Sequence, residues 1–282
     1  MRARWAFVLG SGLIAWLAVS TLEGAARRME QTMTLATRVE AKDWRVVREM
    51  RGASPDAVSA IARLARHADR EVRVLALECL DEVGGAVARG AFLAALTDRD
   101  EDVRDRAVRG LEHHAGRADV ASLLGAVRSH ADEFVRERLA LIVGRVADRS
   151  AIPVLQEILA AGAPADVAAA LALALARLGD AASRARVLDR LEAPDVEARR
   201  AAIDDFVYVA DAAEAARLLP LVDDTREARP AGRLAGYSLR VCDLAIDALG
   251  LVLGPGALPF ETNVFRRYSA EERLAARRAL VP

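Results

Sequence analysis

The chain has 282 residues, 40 Lys and Arg against 41 Asp and Glu (formal net charge −1), and 53% hydrophobic residues, but only 3 Trp, 3 Tyr and 6 Phe. That length exceeds one ordinary core, so two domains or an extended array is expected. Balanced charge argues against binding nucleic acid by phosphate neutralisation, the hydrophobic content argues against disorder, and 2 cysteines support neither a disulfide framework nor a four-thiolate zinc site.

Residues 5–22 are uncharged and follow Arg2 and Arg4, the order of a basic region and an apolar core in an export signal. A helix of this length spans about 27 Å, enough for a tilted crossing of the bilayer, and Ala18, Val19 and Ser20 offer small residues to a signal peptidase. Residues 1–22 are therefore read as an uncleaved membrane anchor or a cleaved signal peptide. The plainer alternative is an apolar terminal helix buried against the body. Arg2, Arg4 and the α-amine, set against Arg27 and Arg28, bias the N-terminus to the cytoplasm. The remainder would then lie in the cell envelope, anchored to the inner membrane through 5–22 or exported. Residues 23–52 contain no proline and repeat Met29, Met33, Leu35, Val39, Val46, Val47 and Met50 at roughly helical intervals, which predicts a helical stalk of one helix or two.

From residue 53 to residue 253 one phrase recurs. Asp69, Val72, Arg73, Ala76 and Leu80 return as Asp100, Val103, Arg104, Ala107 and Leu111, then as Asp132, Val135, Arg136, Leu139 and Val143, then as Asp195, Ala198, Arg199, Ala202 and Phe206. Weaker copies place Val167, Leu171 and Leu175, and Val241, Ala245 and Leu249. The first anchor of each copy falls at 72, 103, 135, 167, 198 and 241, so the period is near 31. Spacing i, i+4, i+8 puts these residues on one helical stripe, and a small central residue lets a neighbouring helix approach closely. The amphipathic segments 57–66, 87–96, 120–127, 152–159, 182–191 and 213–221 supply a first helix for each copy, making about six hairpins. The opening Asp is placed to cap the second helix, and the Arg four residues later reaches that Asp or its counterpart in the next copy.

The phrase resembles HEAT repeats, in the short form also found in bilin-lyase-like HEAT proteins, over about 57–253. The resemblance implies an all-α superhelical solenoid, bacterial in type, with second helices on the concave side and an inter-repeat ladder. By position that ladder is Asp69, Arg73, Asp100, Arg104, Asp132, Arg136, Asp195 and Arg199. Pro164 and Ala168 replace it in the fourth copy, and Ser238 and Cys242 in the sixth. Residues 223–237 form a surplus surface loop before the last copy. The remainder, 254–282, is read as a capping segment in which Leu258, Phe260, Val264, Phe265 and Tyr268 cover the final hairpin, and Ser269 with Glu272 opens a helix to about Leu280.

No phosphate-binding loop, dinucleotide fingerprint, nucleophile elbow or zinc-protease motif occurs. Adjacent His113 and His114 point to different helical faces, so no metal site is expected, and no cofactor. Cys79 is read as a core residue and Cys242 as partly exposed. The acidic segment 201–250 holds Asp204, Asp205, Asp223, Asp224, Asp243 and Asp247; Asp243 and Asp247 sit at i and i+4 on a face expected to be concave. These readings point to a non-enzymatic scaffold of the bacterial envelope with protein partners and no nucleic acid. Helical phase offers Glu78, Asp105, Arg109, Glu137, Arg200, Asp204, Asp243 and Asp247 to the partner, with Asp81 and Glu112 beside them. The rivals are an enzyme of the bilin-lyase type, implied by the resemblance, and a structural spacer of a membrane complex.

Overall fold

The computed structural model describes residues 34–228, 239–263 and 266–280. The export or anchor segment 5–22 lies outside them, as do 229–238, with Ser238, and Val264 and Phe265. Among the described residues no helix is long and apolar enough to cross a membrane.

The protein is helical, and the described chain divides into two compact units meeting at Val135 and Arg136. The first holds α1 (34–40), α2 (Val46–Glu49), α3 (Pro55–Leu64), α4 (Arg70–Val83), α5 (Gly85–Ala95), α6 (Glu101–His114) and α7 (Val120–Ser129). The boundary falls inside α8 (Glu133–Val146). The second unit continues with α9 (Ile152–Ala160), α10 (Ala165–Leu178), α11 (Ala181–Asp189), α12 (Val196–Val209), a 3-10 helix (Ala212–Leu221), α13 (Val241–Leu253) and α14 (Ala270–Leu280). One departure from an all-α fold is a two-residue antiparallel pairing, β1 (Glu227–Ala228) with β2 (Leu239–Arg240).

The stripe read from the repeat is the core. Val72, Ala76 and Leu80, Val103, Ala107 and Leu111, Val135, Leu139 and Val143, Val167, Leu171 and Leu175, Ala202 and Phe206, and Val241, Ala245 and Leu249 are all buried. Ala198 alone of these positions is half-buried. Successive second helices pack on one another, α4 on α6 in the first unit and α10 on α12 and α12 on α13 in the second. Within each unit these hairpins thus bury their apolar faces against one another, which is why a lone copy has no core of its own. The Asp residues open the helices as their chemistry requires. Asp69 accepts from the Glu71 amide (2.8 Å), Asp100 from Asp102 (3.1 Å), Asp132 from Phe134 (3.1 Å) and Asp195 from Ala198 (2.8 Å), each satisfying an orphan N–H.

Two segments differ from the sequence reading. Residues 34–52 are not a free stalk: Leu35, Val39, Val46 and Met50 are buried, α2 packs on α4, and the chain breaks at Lys42 (φ 58°). The sixth first helix, Ala212–Leu221, is 3-10 throughout and contains Pro220, whose missing N–H and fixed φ disfavour an α-helical interior.

In the second unit, close approach depends on Gly144. A Cβ there would stand 2.8 Å from the Ala174 Cα and against the Tyr208 hydroxyl. That hydroxyl donates to the Leu141 carbonyl (2.6 Å). Gly144→Ala is expected to destabilise the protein by about 1–3 kcal/mol through overpacking, read as a lowered urea midpoint; an unchanged midpoint would show that α8 and α10 have room to spare.

Candidate functional site

The Asp and Arg positions of the repeat form contacts that only partly follow a ladder. Arg104 donates to Asp132 of the next copy (2.8 Å) and to the Asp98 carbonyl (3.1 Å). Arg73 departs from the expectation, binding Asp98 (2.9 Å) and the carbonyls of His67 and Ala68 (3.0 Å each), and neither Asp69 nor Asp100. The reason is competition. The capping carboxylates already accept helix amides, and their remaining capacity goes to exposed cations: Lys42 on Asp69 (2.8 Å) and Arg70 on Asp100 (3.0 Å). Arg199 reaches forward to Asp224 (2.7 Å), inside the surplus loop, where Arg226 pairs with the same carboxylate (2.7 Å). Arg226, backed by Arg199, holds Asp224 at about 2 against the opposing effect of burial. Arg136 lies in the first turns of α8, and Asp195 caps α12.

At the C-terminal end the expectation of exposed acids is corrected. Asp243 and Asp247 do share one face of α13, but the segment leading to α14 covers it, and both are buried. Arg240 clamps Asp243 (2.7 Å), the Tyr268 amide donates to Asp243 (2.9 Å), and the Tyr268 hydroxyl donates to Asp247 (2.6 Å) while accepting from the Asn263 amide (2.9 Å). Cys242 is likewise buried and not partly exposed; burial pushes its thiol up, and that of Cys79 up to about 12, so neither is a ready nucleophile.

Burial pushes the Asp247 carboxyl up to about 6, against the Tyr268 hydroxyl, which favours the ionised form. A folded value above the unfolded one means that the native state holds the proton more tightly. The stabilisation is therefore full below pH 3.8 and is lost as pH rises to about 6, a loss of roughly 3 kcal/mol. Asp224 works with the opposite sign in a lower window, its contribution disappearing as pH falls from 3.8 toward about 2. Asp247→Asn retains an acceptor for Tyr268. Its urea midpoint is expected to match the wild type near pH 4 and to exceed it at pH 7; a difference independent of pH would contradict the assignment.

The face that stays open is the second-helix face of the first unit. Glu78 pairs with Arg106, Arg51 with Glu82 (3.0 Å) and Arg109 with Asp105 (3.5 Å). Beside them is a feature the sequence reading missed. Trp44, the one tryptophan among the described residues, is 49% exposed. It lines a cleft of about 310 Å³ with Arg70, Glu71, Val74, Asp102, Asp105 and Arg106. Its position in a presumed stalk hid it. The other proposed partner residues divide. Glu137 is half-buried in α8, whereas Asp204 is 69% exposed and is held by Arg200 (3.2 Å), which also binds Glu197 (3.0 Å).

The histidine expectation also needs correction. His113 Nδ1 lies 3.0 Å from Asp81 Oδ1, and His114 Nε2 lies 2.9 Å from the same atom and 2.7 Å from the Asp81 carbonyl oxygen. The two side chains do diverge from the axis of α6, with ring planes at 89°, but Asp81 on α4 lies between their directions and both turn onto it.

Comparison with known proteins agrees with this architecture. Residues 90–176 match the family model for HEAT repeats. No curated protein matches the chain in sequence. Among solved structures the chain is similar to one from the complex of CpcE and CpcF of phycocyanin lyase from Nostoc sp. PCC7120, at 17% identity and a TM-score of 0.46, covering 86% of this chain and 89% of that one. That similar structure belongs to a lyase, an enzyme, so the exclusion of enzymatic activity read from the missing motifs is withdrawn. What the repeat match and the helix pairs establish together is a mostly helical protein with a HEAT-like solenoid fold.

Proposed function

We propose that this protein binds a partner protein on the second-helix face of its first unit, with Trp44 as the anchor. The supporting observation is the exposed indole over a cleft bordered by Arg70, Asp102, Asp105 and Arg106. A large rigid aromatic beside arginines and carboxylates is the composition of a binding hot spot with a polar rim. Arg109, Glu78 and Glu112 extend the same face. In the second unit Asp204 is the exposed member of the set, with Arg200 half-buried beside it, and Asp243 and Asp247 leave it.

The test places a photo-crosslinking side chain at Trp44 and, separately, at Val87, an exposed apolar position on α5. Irradiation of cells is expected to join the chain to a discrete partner from position 44 and not from 87. Adducts from 87 alone would overturn the choice of face. Envelope placement through 5–22 belongs to the same reading. N-terminal sequencing of the mature chain distinguishes anchor from cleaved signal, and an intact chain in the soluble cytoplasm contradicts both.

A second reading is bilin-lyase chemistry carried out on the docked partner. The first unit has a groove of about 930 Å³ between α5 and α7, lined by Leu93, Leu96, Arg104, Ala126, His130 and Asp132, within the size range of small-molecule sites. Incubating the chain with an open-chain tetrapyrrole and the captured partner would leave covalent visible absorbance on that partner under this reading alone.

A further inference from the structure

We infer that Asp81, His113 and His114 form a site for a borderline divalent cation of the zinc class, clamping α4 to α6. The donor atoms of the three side chains all lie within 4.8 Å of one another. Two imidazole nitrogens face a single carboxylate oxygen at 3.0 and 2.9 Å, and the main-chain carbonyl of Asp81 stands 2.7 Å from His114 Nε2. That is a set of two nitrogens and two oxygens directed at one small volume. Zinc binds such atoms at about 2.0–2.2 Å in a tetrahedron, which requires ligand atoms about 3.4 Å apart. The two pairs on the carboxylate oxygen, at 3.0 and 2.9 Å, have to open by roughly half an ångström and the carbonyl pair, at 2.7 Å, by roughly 0.7 Å to reach that spacing.

Three further features favour a cation here. Asp81 lies near the end of α4, and His113 and His114 form the end of α6, so two helix C-termini turn their partial negative charge toward the site. The His114 ring is held in place: it stacks on Phe92 (centroids 6.1 Å, planes 10° apart) and lies over Gly84, at φ +66°, where a Cβ would come within 2.7 Å of Nδ1. Asp81 is 16% and His114 25% exposed, but His113 is 56% exposed. One ligand therefore opens to solvent and gives the ion a path in and out. Imidazole with carboxylate selects zinc and its neighbours over magnesium or calcium, which take all-oxygen sets. Bound ion would stabilise the first unit by mass action, tying the hairpin of α3 and α4 to that of α5 and α6.

The test titrates the metal-free full chain with Zn²⁺ by calorimetry and with Co²⁺ as a visible-absorbance reporter. One equivalent is expected to bind, with the ligand-field spectrum of a low-coordinate nitrogen and oxygen site and a rise in the thermal midpoint. His113→Ala and Asp81→Asn should each weaken binding by at least about tenfold and abolish the rise. His113 is exposed, so its alanine variant retains the fold even if removal of His114, packed on Phe92, does not. His67→Ala and His130→Ala should bind as the wild type does. Absence of binding, unchanged affinity in His113→Ala, or equal losses in His67→Ala would each overturn the assignment.

Discussion

Arg73→Ala is expected to lower the stability of the first unit by about 3–5 kcal/mol, read as a shifted urea transition without loss of helical signal below it. The guanidinium is 5% exposed and satisfies Asp98, itself 14% exposed, together with the carbonyls of His67 and Ala68. Truncation leaves a largely buried carboxylate with only the Asp100 amide (2.9 Å) as partner, the His67 carbonyl loses its guanidinium donor, and the Ala68 carbonyl keeps only the longer bond from Arg99 (3.4 Å). The cost arises from uncompensated desolvation, so it should be recoverable. Removing the charge on both sides, Arg73→Met with Asp98→Asn, is expected to restore much of the loss. A double variant as unstable as the sum of the singles would show that Arg73 acts through packing of its stem.

Phe206→Ala should have an effect of similar size in the second unit, about 3–5 kcal/mol. Phe206 is the third stripe residue of its copy, fully buried in a cluster with Leu218, Leu221, Val241, Ala245 and Leu249. The ring fills space to which α12, the 3-10 helix and α13 all contribute, and partial collapse cannot recover its contacts. Leu251 on α13 is equally apolar but 64% exposed, and Leu251→Ala should stay within about 0.5 kcal/mol of the wild type. Similar urea midpoints for the two variants would contradict the division of the second helices into a buried seam, which holds Phe206 on α12, and a free face, which holds Leu251 on α13.

The repeat was legible because its signal is local and periodic. Val72, Ala76 and Leu80 find their register from spacing alone, and Asp69, Asp100 and Asp195 announce the helices that they cap. What escaped depended on segments meeting from a distance. The cover of the final hairpin by Leu258 and Tyr268 was legible, but nothing in the phase of α13 shows that Tyr268 will settle on Asp243 and Asp247. A helical wheel reports the divergence of His113 and His114 from their own axis and says nothing of an acceptor on α4. Trp44 was obscured by a stalk assignment that a short, weakly periodic stretch could not correct, and Arg73 pairs with Asp98 where Lys42 and Arg70 already engage Asp69 and Asp100.

Hydrogen–deuterium exchange on the intact chain, resolved by peptide, reads the shared seam directly. The slowest amides are expected in the second helices, around Val72–Leu80, Val103–Leu111, Val167–Leu175, Ala202–Phe206 and Val241–Leu249, where the stripe is buried. Fast exchange through these segments, with protection concentrated instead in the first helices, would contradict a core built from the repeated stripe.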